Sequence, residues 1–520
     1  MDSTGLPSTM RRSPCYTGAN PVRLPFPERV SIIHVALFAA ALFAVQQYQG
    51  TALYFSVGCV AFILLAALAF NAGGGLTRTA GAYVFFYSLL VVIIGVTYKA
   101  ILGEPADSNL LDPQTDIWAY VGSMASMLVA VLISNRFTRK TGLLQDLMPE
   151  RQMYRSSVGC IVFGFTGGFM IATLGEAAAK LNSAFSQLDQ LVPLGIIIGV
   201  MYEIRRSNGT RSINPAIVFA MGYYFFVWGL LAFSKQGMLL PLLCWALPVC
   251  ALQFRLTTNQ ALGCLFGAFI VFYYLVPYAQ YGRDFRQDNS TLSQNIDVAL
   301  PLLEHPQATR DKYEEIVSGA LPGYYNTEQG FMDRLEFISV DDPLINLTDQ
   351  GTVFGLWPVK AVFLNVIPHV IWPGKPDLKL GNNYMHEIQG KNFDEGDTTT
   401  GISFSPTGEA YHWAKWYGVL LVAPLLWLML FVVYDALFGD LRATPWGLLV
   451  MAQISHAAPE GGINATISLC TFGIETLLFC AIFATYIAPL FAVLALGPDR
   501  RNLASQPSYS RLPAPSSEAS

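Results

Sequence analysis

Charge is what this chain has least of. Asp, Glu, Lys and Arg make up 13% of its 520 residues, against about 25% in a typical soluble domain. With 53% hydrophobic residues and a mean hydropathy of +0.42, a soluble globular fold is excluded. Cysteine is missing from all of 280–415, and seven of the eight cysteines (Cys59, Cys160, Cys244, Cys250, Cys264, Cys470, Cys480) fall in apolar runs. Neither disulfides nor a thiolate metal site is therefore expected. There is no Walker loop, dinucleotide fingerprint, HExxH or GxSxG, so the common nucleotide, dinucleotide, zinc-hydrolase and serine-hydrolase signatures are all lacking. The acidic run "FDEGD" lacks the ligand spacing of a calcium loop. No cofactor, no metal and no nucleic-acid partner is expected.

What is present is a series of apolar runs. A helix that satisfies its own backbone in lipid needs roughly 20 residues to cross. Runs of about this kind lie near 30–48, 51–70, 80–101, 116–134, 157–174, 190–204, 213–233, 237–254, 259–279, 416–437, 446–458 and 467–494. The last two are interrupted by "HAAPEGGINAT". The expectation is an all-α polytopic membrane protein of about 12 transmembrane helices. Its parts are an N-terminal tail 1–29 without a cleavable signal, a bundle of about nine helices over 30–279, one large loop domain 280–415, about three helices over 416–496, and a Pro/Ser-rich disordered tail 497–520. Arg78, Arg136, Arg139, Arg155, Arg205, Arg206, Arg211, Arg255, Arg442 and Arg500 all fall in alternate connections. By the positive-inside rule that side is cytoplasmic, with both termini, and 280–415 is external.

The external segment carries 10 Lys/Arg and 19 Asp/Glu, a net of −9. It also holds His305, His369, His386 and His412, four of the six histidines, with His456 expected near the same face. Its short apolar runs indicate a segment folded against the membrane domain. The expected spans are nearly free of charge, which argues against an ion-coupled transporter.

The candidate cations are Arg283, Arg286, Arg334 and Lys375, because a guanidinium fork or an ammonium matches the oxygens of a lipid diphosphate. For Arg283 and Arg286 a second reading stands: anchoring a helix end to headgroups, or pairing with Asp284 and Asp288. In "TTGISFSPTGEAYHWAKWYG", a helix would place Glu409 and His412 on one face at i and i+3, as base and orienter. Trp413 and Trp416 are read as part of an interfacial aromatic belt. His369 follows Pro368 in "IPHVIWPGKP", where a Pro-Gly turn would present Lys375. Tyr324, Tyr325, Tyr384, Tyr411 and Trp372 are candidates for stacking on sugar faces, or equally for packing.

The Arg of "DRLEF", then "IPHVIWPGKP", then "TTGISFSPTGEAYHWAKWYG" before the next span resemble the Wzy-type oligosaccharide repeat-unit polymerases of bacterial surface polysaccharides. The resemblance is specific over roughly 330–420 and architectural elsewhere. Where the family has Pro-Arg this chain has Pro368 and His369; its Gly-Glu-x-Tyr element is matched by Gly408, Glu409 and Tyr411. The resemblance implies a metal-independent, GT-C-like glycosyltransferase of the bacterial inner membrane, with its site in the periplasmic loop domain. Its substrates would be polyprenyl-diphosphate-linked glycans and its surroundings membrane lipids, with a chain-length regulator as a further partner. Catalysis would fall to Glu409, Arg334 and His412, and binding of diphosphate or glycan to Arg283, Arg286, His369, Lys375 and Tyr411. The rival readings are an O-antigen-ligase-like transferase and a polysaccharide exporter without chemistry.

Overall fold

The computed structural model describes residues 22–139, 141–174, 188–283, 285, 292–318, 323–327, 332–355, 357–366, 372, 380–389 and 401–497. Arg286, His369, Lys375, the "FDEGD" run, and residues 1–21 and 498–520 of the terminal tails lie outside them.

The chain is overwhelmingly helical. In order come α1 (Ile32–Tyr48), α2 (Leu53–Ala72), α3 (Thr79–Leu102), α4 (Pro113–Ser134), α5 (Met153–Leu174), α6 (Leu191–Arg206), α7 (Pro215–Leu230), α8 (Lys235–Ala251) and α9 (Thr258–Arg283). The polar segment contributes α10 (Leu292–Glu304), α11 (Pro306–Ser318), α12 (Ile338–Asp349), α13 (Trp357–Val366) and α14 (Leu380–Gln389). Then follow α15 (Pro406–Phe438), α16 (Pro445–Glu460) and α17 (Gly462–Val493). Among the described residues six helices, α2, α3, α4, α9, α15 and α17, are long and apolar enough to cross a membrane. Helices also occupy the other six apolar runs, but α1, α7 and α8 are shorter. The twelve expected spans thus all form helices, and among the described residues six of them meet the length and apolarity of a membrane span.

Local chemistry sets the helix starts. Asp112, Asn214, Ser405 and Thr444 each accept a backbone N–H of the first turn while proline occupies the next position. The side chain satisfies an orphan donor, and proline at N1 lacks an N–H that would have been orphaned. Thr257 and Gln260 form a reciprocal capping box at α9. Between the caps there is almost nothing but apolar surface, so packing, not capping, sets which helices adjoin. α2 packs on α4, α5 on α6 and α17, α16 on α3, and α15 on α4.

The connections collect at two ends. At one, the strand pair Val22–Arg23 with Arg255–Leu256 joins the chain start to the α8–α9 link. There, Arg442 bridges Glu28 and Asp440, Arg205 meets Glu150, and the Leu441 amide donates to the Thr77 carbonyl. At the other end the polar segment folds down on the helix tips. The Ala52 amide donates to Asp107, Tyr324 donates to the Ala106 carbonyl, and the Asp342 carboxylate accepts the amides of Leu111 and Asp112. Lys99, fully buried, lies 3.8 Å from the Tyr324 ring centre and donates to the Ser108 carbonyl.

Several charged groups inside the apolar helices are deeply enclosed, Lys99, Asp116, Glu409 and Asp435 among them, whereas Glu475 of α17 is exposed. α5 crosses α17 closely, where a Cβ on Gly159 would overlap the backbone of Ala488. Gly159→Ala must push the two helices apart, an overpacking cost of about 1–3 kcal/mol. It is expected to lower the thermal transition of the detergent-solubilised protein. An unchanged transition would contradict this packing.

Candidate functional site

The densest polar cluster forms where the start of α15 meets α12, α14 and the start of α17. Ser405, in extended conformation, caps α15 by accepting from the amides of Thr407 and Gly408. The helix runs regularly through Trp413 and breaks at Ala414 (φ −156°, ψ 30°) and Lys415 (φ 50°, ψ −136°). A non-glycine residue at positive φ is strained. The break lets the chain resume so close to its own first half that Gly418 abuts the Ala410 carbonyl, leaving no room for a Cβ.

Asp341 on α12 fixes this short half-helix. Its carboxylate, completely buried, accepts from Tyr120 Oη of α4 at 2.6 Å, the Ser405 amide at 2.9 Å, the Ser405 hydroxyl, and the Gly408 amide at 3.2 Å. A side chain at Gly408 would collide with that carboxylate. Beside it, Thr407 bonds Ser123 Oγ at 2.7 Å and Tyr87 Oη. Burial pushes the Asp341 carboxyl up to about 6 against the downward pull of Ser405 and Tyr120. Burial likewise raises nearby Glu336 to about 7, although Ser339 donates to it through both hydroxyl and amide.

Glu409 projects from the first turn of α15 to the first turn of α17. Its carboxylate accepts from Tyr384 Oη of α14 at 2.8 Å, from the Asn464 amide at 3.0 Å and from Asn464 Nδ2. An acid at a helix N-terminus meets orphan amides and the positive end of the helix dipole. Gly462, at φ +61°, passes so close to Glu409 Oε2 that any Cβ would overlap it. Glu409 is only 2% exposed, and these donors occupy both of its oxygens.

His412 is fully buried, with Nδ1 2.7 Å from Thr348 Oγ1 and Nε2 3.3 Å from Glu387 Oε2. Both ring nitrogens are engaged, and the carboxylate that orients this imidazole is Glu387. No hydrogen bond joins Glu409 to His412 among the described residues; the two sit on either side of Tyr384, whose ring centre is 5.9 Å from that of His412. Tyr411 donates to Asp349 Oδ1 at 2.7 Å, and Lys415 Nζ lies 3.7 Å from the same oxygen at the exposed rim.

The structure therefore brings Glu409, Tyr411 and His412 into one cluster. Arg283, at the end of α9, donates through Nε to the Phe233 carbonyl at 3.1 Å. Arg334 ends the turn Met332–Arg334, and its side chain lies outside the described atoms. Arg286, His369 and Lys375 lie outside the described residues. Trp413 is not in an interfacial belt: it is buried and donates to Tyr384 Oη at 3.1 Å, because the helix carrying it is enclosed. Trp416, past the break, is exposed. Tyr324, Tyr325, Tyr384 and Tyr411 are buried, so they pack and offer no open ring face to a sugar; Trp372 is exposed.

Sequence reasoning missed Asp341, Glu387 and Asn464, and it singled out Tyr384 as a stacking or packing ring, not as the donor to Glu409. The one local signal was the "EGGIN" interruption, because paired glycines between two apolar runs mark a close backbone approach.

The chemistry of the described cluster is that of carboxylates, phenols, aliphatic hydroxyls, a carboxamide and one imidazole. It suits proton transfer and recognition of hydroxyl groups. Among the described residues no group of three or more His, Cys, Asp or Glu is arranged to hold a metal ion. No family model, curated protein or solved structure matches this chain.

Asp341 and Glu336 hold their protons more tightly folded than unfolded. Their stabilising contribution is complete below about pH 4, the ordinary carboxyl range, and is lost as pH rises through about 6 and about 7. The melting temperature in detergent is expected to fall from acid to neutral pH, and Glu336→Gln to flatten the portion nearest neutrality. A melting temperature that rose over that interval in the wild type would refute the assignment.

Proposed function

We propose that this chain is a membrane glycosyltransferase that polymerises polyprenyl-diphosphate-linked oligosaccharide repeat units into a surface or extracellular polysaccharide. The observation that carries the reading is the junction of Glu409 with Tyr384 and Asn464: the Gly-Glu-x-Tyr element is a built, buried piece of a polar site at the mouth of an apolar bundle. Such a placement suits a substrate whose lipid tail stays in the bilayer while its sugar stands outside it.

In this reading all twelve apolar helices cross a bacterial inner membrane. Both termini and the arginine-rich end face the cytoplasm, because Arg78, Arg205, Arg206, Arg211, Arg255 and Arg442 occupy that end. The polar segment, carrying Glu104, Asp107 and Asp112 against it, faces the periplasm. Arg334, Arg283, Arg286, His369 and Lys375 are assigned to the leaving diphosphate, since charge developing on its oxygens needs cationic donors. Glu409, buried and saturated, holds Tyr384 and Asn464, and His412 holds Thr348 and Glu387, so the two stiffen the site from behind. No metal or cofactor takes part.

The test is deletion of the gene in its host followed by complementation. Loss of a polymerase leaves single repeat units on the acceptor, whereas loss of a ligase leaves long carrier-linked chains, and an exporter would leave chain lengthening by isolated membranes intact. Arg334→Ala is expected to express normally and stop chain growth. Glu409→Ala should stop it too, and should cost about 1–3 kcal/mol of stability through the donors left unpaired. Full-length polymer from both variants would sink these roles.

A further inference from the structure

α16 ends beside the cluster, and its last turns carry polar groups that the site above does not use. Gln453, His456 and Glu460 stand at i, i+3 and i+7, one face of a helix. Across the Gly461–Gly462 turn follows Asn464, whose Nδ2 and amide hold Glu409. His456 Nδ1 is 3.3 Å from Glu460 Oε2, with both side chains about half exposed (51% and 48%). That contrasts with the enclosed His412 and Glu409. Two amide oxygens of this stretch, Gln453 Oε1 and Asn464 Oδ1, are buried without a hydrogen-bond partner among the described residues, although Gln453 Nε2 reaches Gln190 Oε1 at 3.4 Å. The orientation of the Asn464 amide follows from its carboxylate neighbour, which requires the NH2 group and turns the oxygen away. Buried acceptors left open are costly unless a ligand supplies donors. Two amide oxygens, an imidazole and a carboxylate along this one short stretch suit a ligand rich in hydroxyl donors.

We infer that this face of α16, with Asn464, is the subsite for the acceptor sugar, and that His456 is the base that deprotonates its attacking hydroxyl. The inference rests on the glycosyltransferase reading. Glu460 at Nδ1 fixes the ring proton there and leaves Nε2 with the lone pair. His456 Nε2 takes the proton of the acceptor hydroxyl as its oxygen bonds to the anomeric carbon of the donor glycan. The bond from that carbon to the polyprenyl diphosphate breaks, and the diphosphate leaves with the electron pair. The proton passes from His456 to water.

The test uses membranes of the host strain lacking the gene, complemented with full-length variants and supplied with that host's own lipid-linked repeat units. His456→Gln is expected to lower the rate of chain lengthening by about 100-fold or more, the usual contribution of a general base, and to abolish the acidic limb of the pH–rate profile. Glu460→Gln should retain more activity and move that limb to lower pH, since it removes the charge that favours the imidazolium. His456→Ala, checked for normal amount and monodispersity in detergent, should regain activity with added imidazole, which a purely structural loss would not. A wild-type rate and profile in His456→Gln would overturn the subsite and leave the glycosyltransferase reading standing. Wild-type membranes that lengthen no chains would overturn both.

Discussion

A carboxylate taken out of water must be surrounded by donors, and much of the described architecture around the site follows from meeting that demand at Asp341. Its four donors come from a membrane helix, from the turn before α15 and from the first turn of α15 itself. Because those groups converge on one side chain of the polar segment, α12 cannot shift without undoing the start of α15. Everything α15 presents afterwards, Glu409 to α17 and His412 to α12 and α14, inherits its position from that anchor. Replacing a donor leaves a buried charge short of partners, so the junction tolerates little local change.

The cluster has two kinds of polar group with different capacities. Glu409 and His412 are enclosed and fully bonded, which makes them rigid and keeps solvent from them. His456 and Glu460 are bonded to each other and half open. In the proposed reading the half-open pair meets the substrate hydroxyl, whose accurate placement requires rigid surroundings. Glycine makes the arrangement possible at two points: Gly408 lets Asp341 approach one helix start, and Gly462 lets Glu409 approach another.

The helices were readable because their apolar runs are long and their caps are chemically explicit: Asp112, Asn214, Ser405 and Thr444 each stand before a proline. Fold class follows from that alone. What could not be read was the break in α15, since nothing in "HWAKWYG" announces a positive φ at Lys415. For the same reason Trp413 reads as an interfacial residue although it is enclosed. Glu409 and the His412 imidazole were legible as polar residues near an apolar run. Their partners were not, because Tyr384, Glu387 and Asn464 lie at least 25 residues away and local spacing carries no record of such contacts.

The Gly461–Gly462 turn also sets an order of assembly. α15 leaves the ribosome before α17, and the amide that holds Glu409 belongs to a residue 55 positions later. Until α16 and α17 have folded back against it, this half-helix carries an acid with no protein donor from that side. Maturation of this region therefore waits on the C-terminal hairpin, and a chain halted before Asn464 would present to the membrane surface an unfinished helix start that quality-control proteases could recognise.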